Sequence, residues 1–289
     1  MTEHEGCLSL NEAAEKLGVH YMTAYRYVRT GRLPAVQHGS HWLVDPADLA
    51  RLSRAAPARR GRSAGARAVG QGRGVERSAT MKDRMVAGDE AGTWGIVEGA
   101  IASGMEPADV YGALLTPALR DIGDGWLAGD VSVADEHRAS AVAQRVVGRL
   151  GPRFARRGRK RGSVVIGSPA GDLHSLPCSM LADLLRGAGF DVADIGANAP
   201  AESFLETAMA ADRLVAVLVG ASAPHPDVAV RETVAALHQA DLGVPVLVGG
   251  RAISDAEHAL RLGADGWSGA DGATAVAAVE RIAAQRRSR

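Results

Sequence analysis

Two residues in one short segment carry the clearest chemistry in this sequence. In Gly167-Ser168-Pro169-Ala170-Gly171-Asp172-Leu173-His174, an aspartate precedes a histidine by two positions, directly after an apolar run that reads as a strand. A loop imidazole with a carboxylate so near suits a metal ligand whose far ring nitrogen is fixed by that carboxylate. Small residues follow two later apolar runs, at Gly220-Ala221-Ser222-Ala223 and at Gly249-Gly250, and would leave a slot for a flat or elongated ligand. A third group, Trp126, Glu136 and His137, flanks a break at Gly129-Asp130. Ser132 can cap the helix after that break, with Asp135 as its partner three residues on. Two other motifs fail. Ser222, His225 and Asp227 lie in a Gly-x-Ser-x-Pro context, not the Gly-x-Ser-x-Gly elbow of a hydrolase. Gly70, Gly72 and Gly74 sit in an arginine-rich joint, not between a strand and a helix, so they are no nucleotide fingerprint.

These side chains need elements to hold them. From residue 163 onward, apolar runs Val164–Ile166, Val192–Ile195, Leu214–Leu218, Val244–Val248 and Ala264–Trp267 alternate with helical stretches. Such alternation predicts a parallel sheet covered on both faces, with ligands beyond the carboxyl ends of its strands. Residues 82–150 read as helices near 82–87, 90–103, 106–127 and 132–150, broken at Gly88, Gly104 and Gly129, which predicts a four-helix bundle. In residues 8–53, Leu10, Ala13, Ala14 and Leu17 have helical spacing. After the turn Gly18-Val19-His20 a second helix runs from Tyr21 to Arg29. Short strands Leu33–Gln37 and His41–Val44 and a helix opened by Asp45-Pro46 complete a winged helix-turn-helix. Such a module lays its second helix in the major groove of double-stranded DNA. His20, Met22, Thr23 and Arg26 are then placed to face bases. Arg29, Arg32, His38, Ser40 and His41 are placed to meet the backbone or minor groove.

Composition bounds the rest. The chain has 289 residues, 46% of them apolar, enough for several cores. Its 33 basic and 33 acidic residues cancel, but residues 1–80 hold 12 of the former and 7 of the latter, so a basic module precedes an acidic body. Two arginine-rich joints, 51–77 and 149–162, read as solvated linkers attractive to phosphate. Cys7 and Cys178 are too few for a disulfide framework. No run reaches the ~18 apolar residues of a membrane helix, and the opening MTEHEGCLSL lacks the layout of a secretory signal. A cytoplasmic protein with no membrane partner is expected. Its domains are a helix-turn-helix domain at 8–53, a flexible joint at 54–81, a bundle at 82–150 and a Rossmann-like α/β domain at 163–289.

The segment SLNEAAEKLGVHYMTAYRYVRTGRLPAVQHGSHWLVDPADL resembles the excisionase-like and MerR-like winged DNA-binding domains. Asp172-x-His174, then Ser222, then Gly249-Gly250 resembles the cobalamin-binding domain shared by corrinoid proteins. That resemblance implies His174 as lower axial ligand of cobalt and Asp172 as its partner, with Ser222, Gly249 and Gly250 around the displaced nucleotide tail. Pro177 stands where the family has glycine. The segment GDGWLAGDVSVADEHRAS resembles the Trp-x9-Glu-His signature of CarH-like photoreceptors, which are repressors that bind adenosylcobalamin. It implies Trp126 over the adenosyl group and Glu136 and His137 on the upper face. His137 can then take the upper cobalt position once light breaks the cobalt–carbon bond. The expectation is a cobalamin-dependent, light-responsive repressor, not an enzyme, acting as a homo-oligomer (dimer or tetramer) on a DNA operator. Two alternatives stand beside it: a regulator sensing another ligand or none on this fold, and a corrinoid methyl carrier.

Overall fold

The computed structural model describes residues 7–17, 19, 24–25, 27–28, 32–38, 41–54, 71–223 and 226–287. Two compact units divide the chain: Met1–Gly74 with Arg120–His137, and Val75–Leu119 with Arg138–Arg289.

The N-terminal elements are β1 (Leu8–Ser9), α1 (Leu10–Leu17), β2 (Ala35–His38), β3 (His41–Val44) and α2 (Pro46–Arg54). Leu10, Ala13 and Ala14 share the buried face of α1. Ser9 and Glu12 close its start reciprocally, the Ser9 N–H donating to the Glu12 carboxylate at 2.8 Å and the Glu12 N–H to Ser9 Oγ at 3.3 Å. The Asp45 carboxylate accepts the Ala47 N–H at 2.7 Å and caps α2. Ala24, Tyr25, Tyr27 and Val28, the described part of the second helix, are helical. Ala24 and Val28 pack with Leu10, Leu33, Val44 and Leu49 in one core. Strands β2 and β3 form an antiparallel hairpin with His38 opposite His41. The first strand begins at Ala35 instead of Leu33, because Leu33 is fully buried in that core. β1 pairs with the far side of β3, giving a three-stranded sheet in the order β1-β3-β2. At two residues, β1 is too short to leave an alternating pattern.

Next come α3 (Gln71–Ala87), α4 (Glu90–Ala102), α5 (Pro107–Val110), a π-helical turn at Tyr111–Leu115, α6 (Thr116–Ala128), α7 (Val133–Leu150) and a 3-10 turn at Gly151–Phe154. The joint expected to be flexible over 54–81 is thus helical from Gln71, well before residue 82. Ser78, Met81 and Met85 supply a buried face at helical spacing, and the Ser78 hydroxyl donates to the Leu114 carbonyl at 3.0 Å. The arginines and glycines around them masked that face in the sequence. The expected breaks stand: Gly88, Gly104 and Gly129 have φ of +77°, +91° and +92°, a conformation that favours glycine.

The α/β part runs β4 (Ser163–Gly167), α8 (Leu176–Gly187), β5 (Asp191–Asp194), α9 (Ala201–Ala210), β6 (Leu214–Gly220), α10 (Asp227–Gln239), β7 (Val246–Gly249), α11 (Ala256–Arg261), β8 (Gly266–Trp267) and α12 (Gly272–Arg287). All strand pairs are parallel, in the order β5-β4-β6-β7-β8. Every residue of β4 is buried, as befits a central strand covered twice. Val165, Val217, Val219 and Val248 face one apolar layer, and Val164, Ile166, Ala216 and Leu218 face the other. Because the strand order reverses between β4 and β6, the connections leaving these two strands diverge and open a crevice at their carboxyl ends.

Within the larger unit, one buried polar contact ties the helical segment to the sheet domain. The Tyr111 hydroxyl donates to Asp183 Oδ2 at 2.7 Å, and Arg186 donates to Asp183 Oδ1 at 3.0 Å. The Tyr111 ring stacks on Phe154 with centroids 5.0 Å apart. Burial, then the Asp183 carboxylate, push the phenol far above its ordinary pKa, so it remains a donor. Tyr111→Phe removes one donor from a buried carboxylate while keeping the stack. Urea denaturation should show a loss of about 1–3 kcal/mol with unchanged helical circular dichroism. An unchanged midpoint would contradict the contact.

Candidate corrinoid-binding site

At the crevice, Asp172 is the organising residue. It is 2% exposed and lies in the loop after β4. Its Oδ2 accepts the backbone N–H groups of Ser222 at 2.6 Å and Ala223 at 3.0 Å, both in the loop after β6. Its Oδ1 accepts the His174 N–H at 3.0 Å and lies 2.7 Å from His174 Nδ1. Burial by itself would raise this carboxyl. The bonds from the His174 ring, Ser222, Ala223 and the His174 backbone outweigh it and hold the pKa below the ordinary value. Asp172 therefore stays ionised and keeps the proton on Nδ1, leaving Nε2 with the lone pair that binds a metal. The His174 side chain is 56% exposed at the mouth of the crevice.

Neighbours shape the loop. The Asn198 N–H donates to the Asp172 carbonyl at 2.8 Å, and Asn198 Oδ1 accepts the Gly171 N–H at 2.8 Å. Ser168, 1% exposed, donates its hydroxyl to the His174 carbonyl at 3.1 Å. Ser168 also meets Cys178 Sγ at 3.3 Å, and burial pushes that thiol up to about 12. Pro177 sits in the first turn of α8, where a missing N–H costs no helical bond. A cleft of about 560 Å³ opens beside this turn, with Gln144, Val147 and Gly148 of α7 on one wall and Ser175, Leu176 and Ser179 on the other.

The sequence pairing of Asp172 with His174 holds in space, and Ser222 joins them, though through its backbone N–H. The Ala223 N–H, Asn198 and Ser168 escaped sequence reading. Asn198 alone left a signal, as a small polar residue after a strand. Gly249 and Gly250 also serve the packing of the sheet edge. A Cβ at Gly249 would collide with Ser268 Oγ and lie 2.6 Å from the Gly269 carbonyl oxygen; one at Gly250 would collide with the Ala221 carbonyl. Their smallness lets the loops after β6, β7 and β8 touch, and Ala221 N–H donates to the Gly249 carbonyl at 2.8 Å.

Trp126, Glu136 and His137 belong to the smaller unit. Trp126 is half-buried near the end of α6. Ser132 caps α7 as expected, accepting the Asp135 N–H at 3.1 Å and donating to its carboxylate at 2.7 Å. His137 is exposed, its Nδ1 lying 2.8 Å from the Val133 carbonyl and 3.3 Å from the Glu136 carboxylate. Of the DNA-facing residues, His20, Met22, Thr23, Arg26, Arg29 and Ser40 lie outside the described residues, as do the side chains of His38 and His41. Arg32 is exposed, its guanidinium 4.8 Å from the Tyr27 ring centroid.

Three domain families match the chain: a B12 binding domain over residues 162–280, a second B12 binding domain over 78–150, and a helix-turn-helix domain over 7–55. A corrinoid protein of Desulfitobacterium hafniense is 26% identical over 65% of this chain and 89% of its own length. Trimethylamine corrinoid protein 1 of Methanosarcina acetivorans is 28% identical over 45% of this chain, which spans 62% of that relative. The structure of the Methanosarcina barkeri monomethylamine corrinoid protein shares the fold, with a TM-score of 0.63 at 20% identity, covering 72% of this chain and all but 1% of that one (99%). These matches support a corrinoid cofactor, and the donor set fits one: a half-exposed imidazole fixed by a buried carboxylate at the strand ends. Among the described residues no helix is long and apolar enough to cross a membrane.

Two substitutions test the geometry. Asp172→Asn should cost about 1–3 kcal/mol near neutral pH. Because the folded pKa is lowered from 3.8, this carboxylate's contribution is full above that value and fades as pH falls through the folded one. Urea midpoints of the two proteins should therefore converge as pH falls through the lowered folded pKa; a gap independent of pH contradicts the assignment. Gly250→Ala, at φ +104°, should lower thermal stability by at least the roughly 1–3 kcal/mol of backbone strain. An unshifted melting curve would exclude the close approach.

Proposed function

We propose that this chain is a cobalamin-dependent, light-responsive transcriptional repressor. In this reading it is a regulator and not an enzyme, with adenosylcobalamin as cofactor, a double-stranded DNA operator as target and a homo-oligomer as its working form. The observation that carries the reading is the Asp172–His174 couple, built into the crevice of a chain that also bears a helix-turn-helix domain. When bound, an alkylated corrinoid supplies a cobalt–carbon bond that visible light can break.

The chain's own residues do the rest. His174 Nε2 would hold the metal, while Asp172 keeps the imidazole oriented. The Ser222 and Ala223 N–H groups keep Asp172 ionised. Trp126, Glu136 and His137 are assigned by the resemblance to the cofactor's upper side. The indole would exclude water there, and His137, whose Nδ1 lies 2.8 Å from the Val133 carbonyl, would offer Nε2 to a metal. Self-association linked to cofactor binding presents several helix-turn-helix domains to one operator, and avidity raises affinity. A second reading, a corrinoid methyl carrier, is favoured by the names of the curated relatives. The helix-turn-helix match at residues 7–55 favours the first.

The test is reconstitution of the full chain with adenosylcobalamin in the dark. One equivalent should bind, and green light should change both the visible spectrum and the size measured by gel filtration. Operator selected from a random duplex library should be held in the dark and released in light. His174→Ala should weaken cobalamin binding by at least about tenfold. A colourless protein, or operator binding indifferent to light, refutes the photoreceptor reading. Methyl transfer from the methylcobalamin-loaded chain without operator binding would establish the carrier.

A further inference from the structure

The segment joining α7 to β4 behaves differently from the solvated linker its composition suggests. Residues 149–162 hold seven arginines and lysines and no acid, in a chain whose formal net charge is zero. Yet the segment is pinned to the sheet domain. Arg156 donates to the Gly187 carbonyl at 3.2 Å and Arg161 to the Ala188 carbonyl at 3.2 Å. Lys160 donates to the Arg156 carbonyl at 2.9 Å, and Arg213 reaches in to the Lys160 carbonyl at 3.1 Å. Arg161 also pairs with Glu280 and lies over the Phe190 ring. The loop encloses a hollow of about 200 Å³ walled by Arg156, Arg157, Arg159, Lys160 and Arg161 against Ala188 and Gly189.

Three of the cations stand apart. Arg153, Arg157 and Arg159 are exposed, and no hydrogen bond or ion pair among the described residues engages them. A fixed backbone thus carries like charges that nothing in their surroundings neutralises, although acidic residues are as numerous as basic ones in the chain. Such an arrangement suits an anion with several charges. The loop's large apolar side chains, Leu150 and Phe154, are buried, so neither is offered for lipid insertion. Duplex phosphate asks only for charge, and the helix-turn-helix domain brings a duplex to this chain.

We propose that the connecting loop, through Arg153, Arg157 and Arg159, is a second polyanion-binding surface, which takes the phosphate backbone of duplex DNA independently of the helix-turn-helix domain. The choice of DNA rests on the regulator reading; the phosphate chemistry rests on the loop alone.

The experiment measures binding of the full chain to a random-sequence duplex as a function of salt, for the wild type and for Arg153→Gln/Arg157→Gln/Arg159→Gln. Each lost phosphate contact lowers the slope of log K against log salt by about 0.9, so the triple variant should be shallower by up to about 2.7. Its melting temperature and cobalamin uptake should match the wild type, because no hydrogen bond or ion pair among the described residues engages these side chains. Equal slopes, or absence of duplex binding by the wild type, overturn the proposal. Sodium tripolyphosphate is the second probe. If the three arginines bind it while duplex slopes are equal, the surface is a small-phosphate site and the DNA assignment fails. The operator reading is scored separately, by preference for selected over random duplex. Loss of that preference with a loop-dependent slope sinks the operator reading alone, and retained preference with equal slopes sinks the loop alone.

Discussion

A carboxylate sealed from water must be answered by donors, and at Asp172 that demand organises the site. An ionised group in a low-dielectric interior is unfavourable by several kcal/mol unless hydrogen bonds replace its hydration. Here the donors come from its own loop and from the loop after β6. One charge therefore does two things at once. It closes the crevice edge between β4 and β6, and it sets the tautomer and direction of the His174 ring. The location follows from topology: the strand order reverses between these two strands, so their connections part and leave backbone N–H groups pointing at a gap. Any change that loosens the loop after β6 must also disturb the imidazole.

The same logic appears at a second buried carboxylate. Asp183 is satisfied by Tyr111 on one oxygen and Arg186 on the other. Tyr111 opens a π-helical turn, in which the Thr116 N–H reaches back five residues to the Tyr111 carbonyl. Within the same turn the Leu114 carbonyl accepts the Ser78 hydroxyl at 3.0 Å. A local departure from helical geometry thus lets one short segment bond to α3 and to the sheet domain together.

Much of this was legible in the sequence, and the boundary is physical. Alternating apolar runs gave the parallel sheet because burial on both faces demands unbroken Val, Ile and Leu. The spacing of Asp172 and His174 gave their contact because two residues of one loop cannot be far apart. Glycines gave the helix ends because they adopt positive φ without strain. Contacts between distant segments were not legible. Nothing in the sequence pairs Tyr111 with Asp183, 72 residues apart, and a backbone donor such as the Ala223 N–H has no sequence signature at all. The helix from Gln71 was hidden because its buried face is carried by Ser78, Met81 and Met85 among arginines. At Gly249 and Gly250 the sequence showed smallness beside a crevice but not that the loops after β6, β7 and β8 pack against these two residues.

Under the proposed function, a chain that joins a DNA-binding domain to a corrinoid site is bound by reciprocity. In the proposed regulator, if corrinoid at His174 strengthens DNA binding by some factor, DNA must strengthen corrinoid binding by the same factor. Couplings of this kind amount to about 1–3 kcal/mol, or five- to 150-fold, comparable with the worth of one or two well-placed buried hydrogen bonds. The Asp172 network is of that size. It is also the part of the molecule where a candidate metal ligand, a loop crossing and a fixed charge depend on one another. A shift of the His174 ring therefore cannot be absorbed locally: it alters the bonds to Ser222 and Ala223, and with them the loop after β6. Coupling between the cofactor and the rest of the protein would start from that carboxylate, which is bonded both to His174 and to the loop after β6.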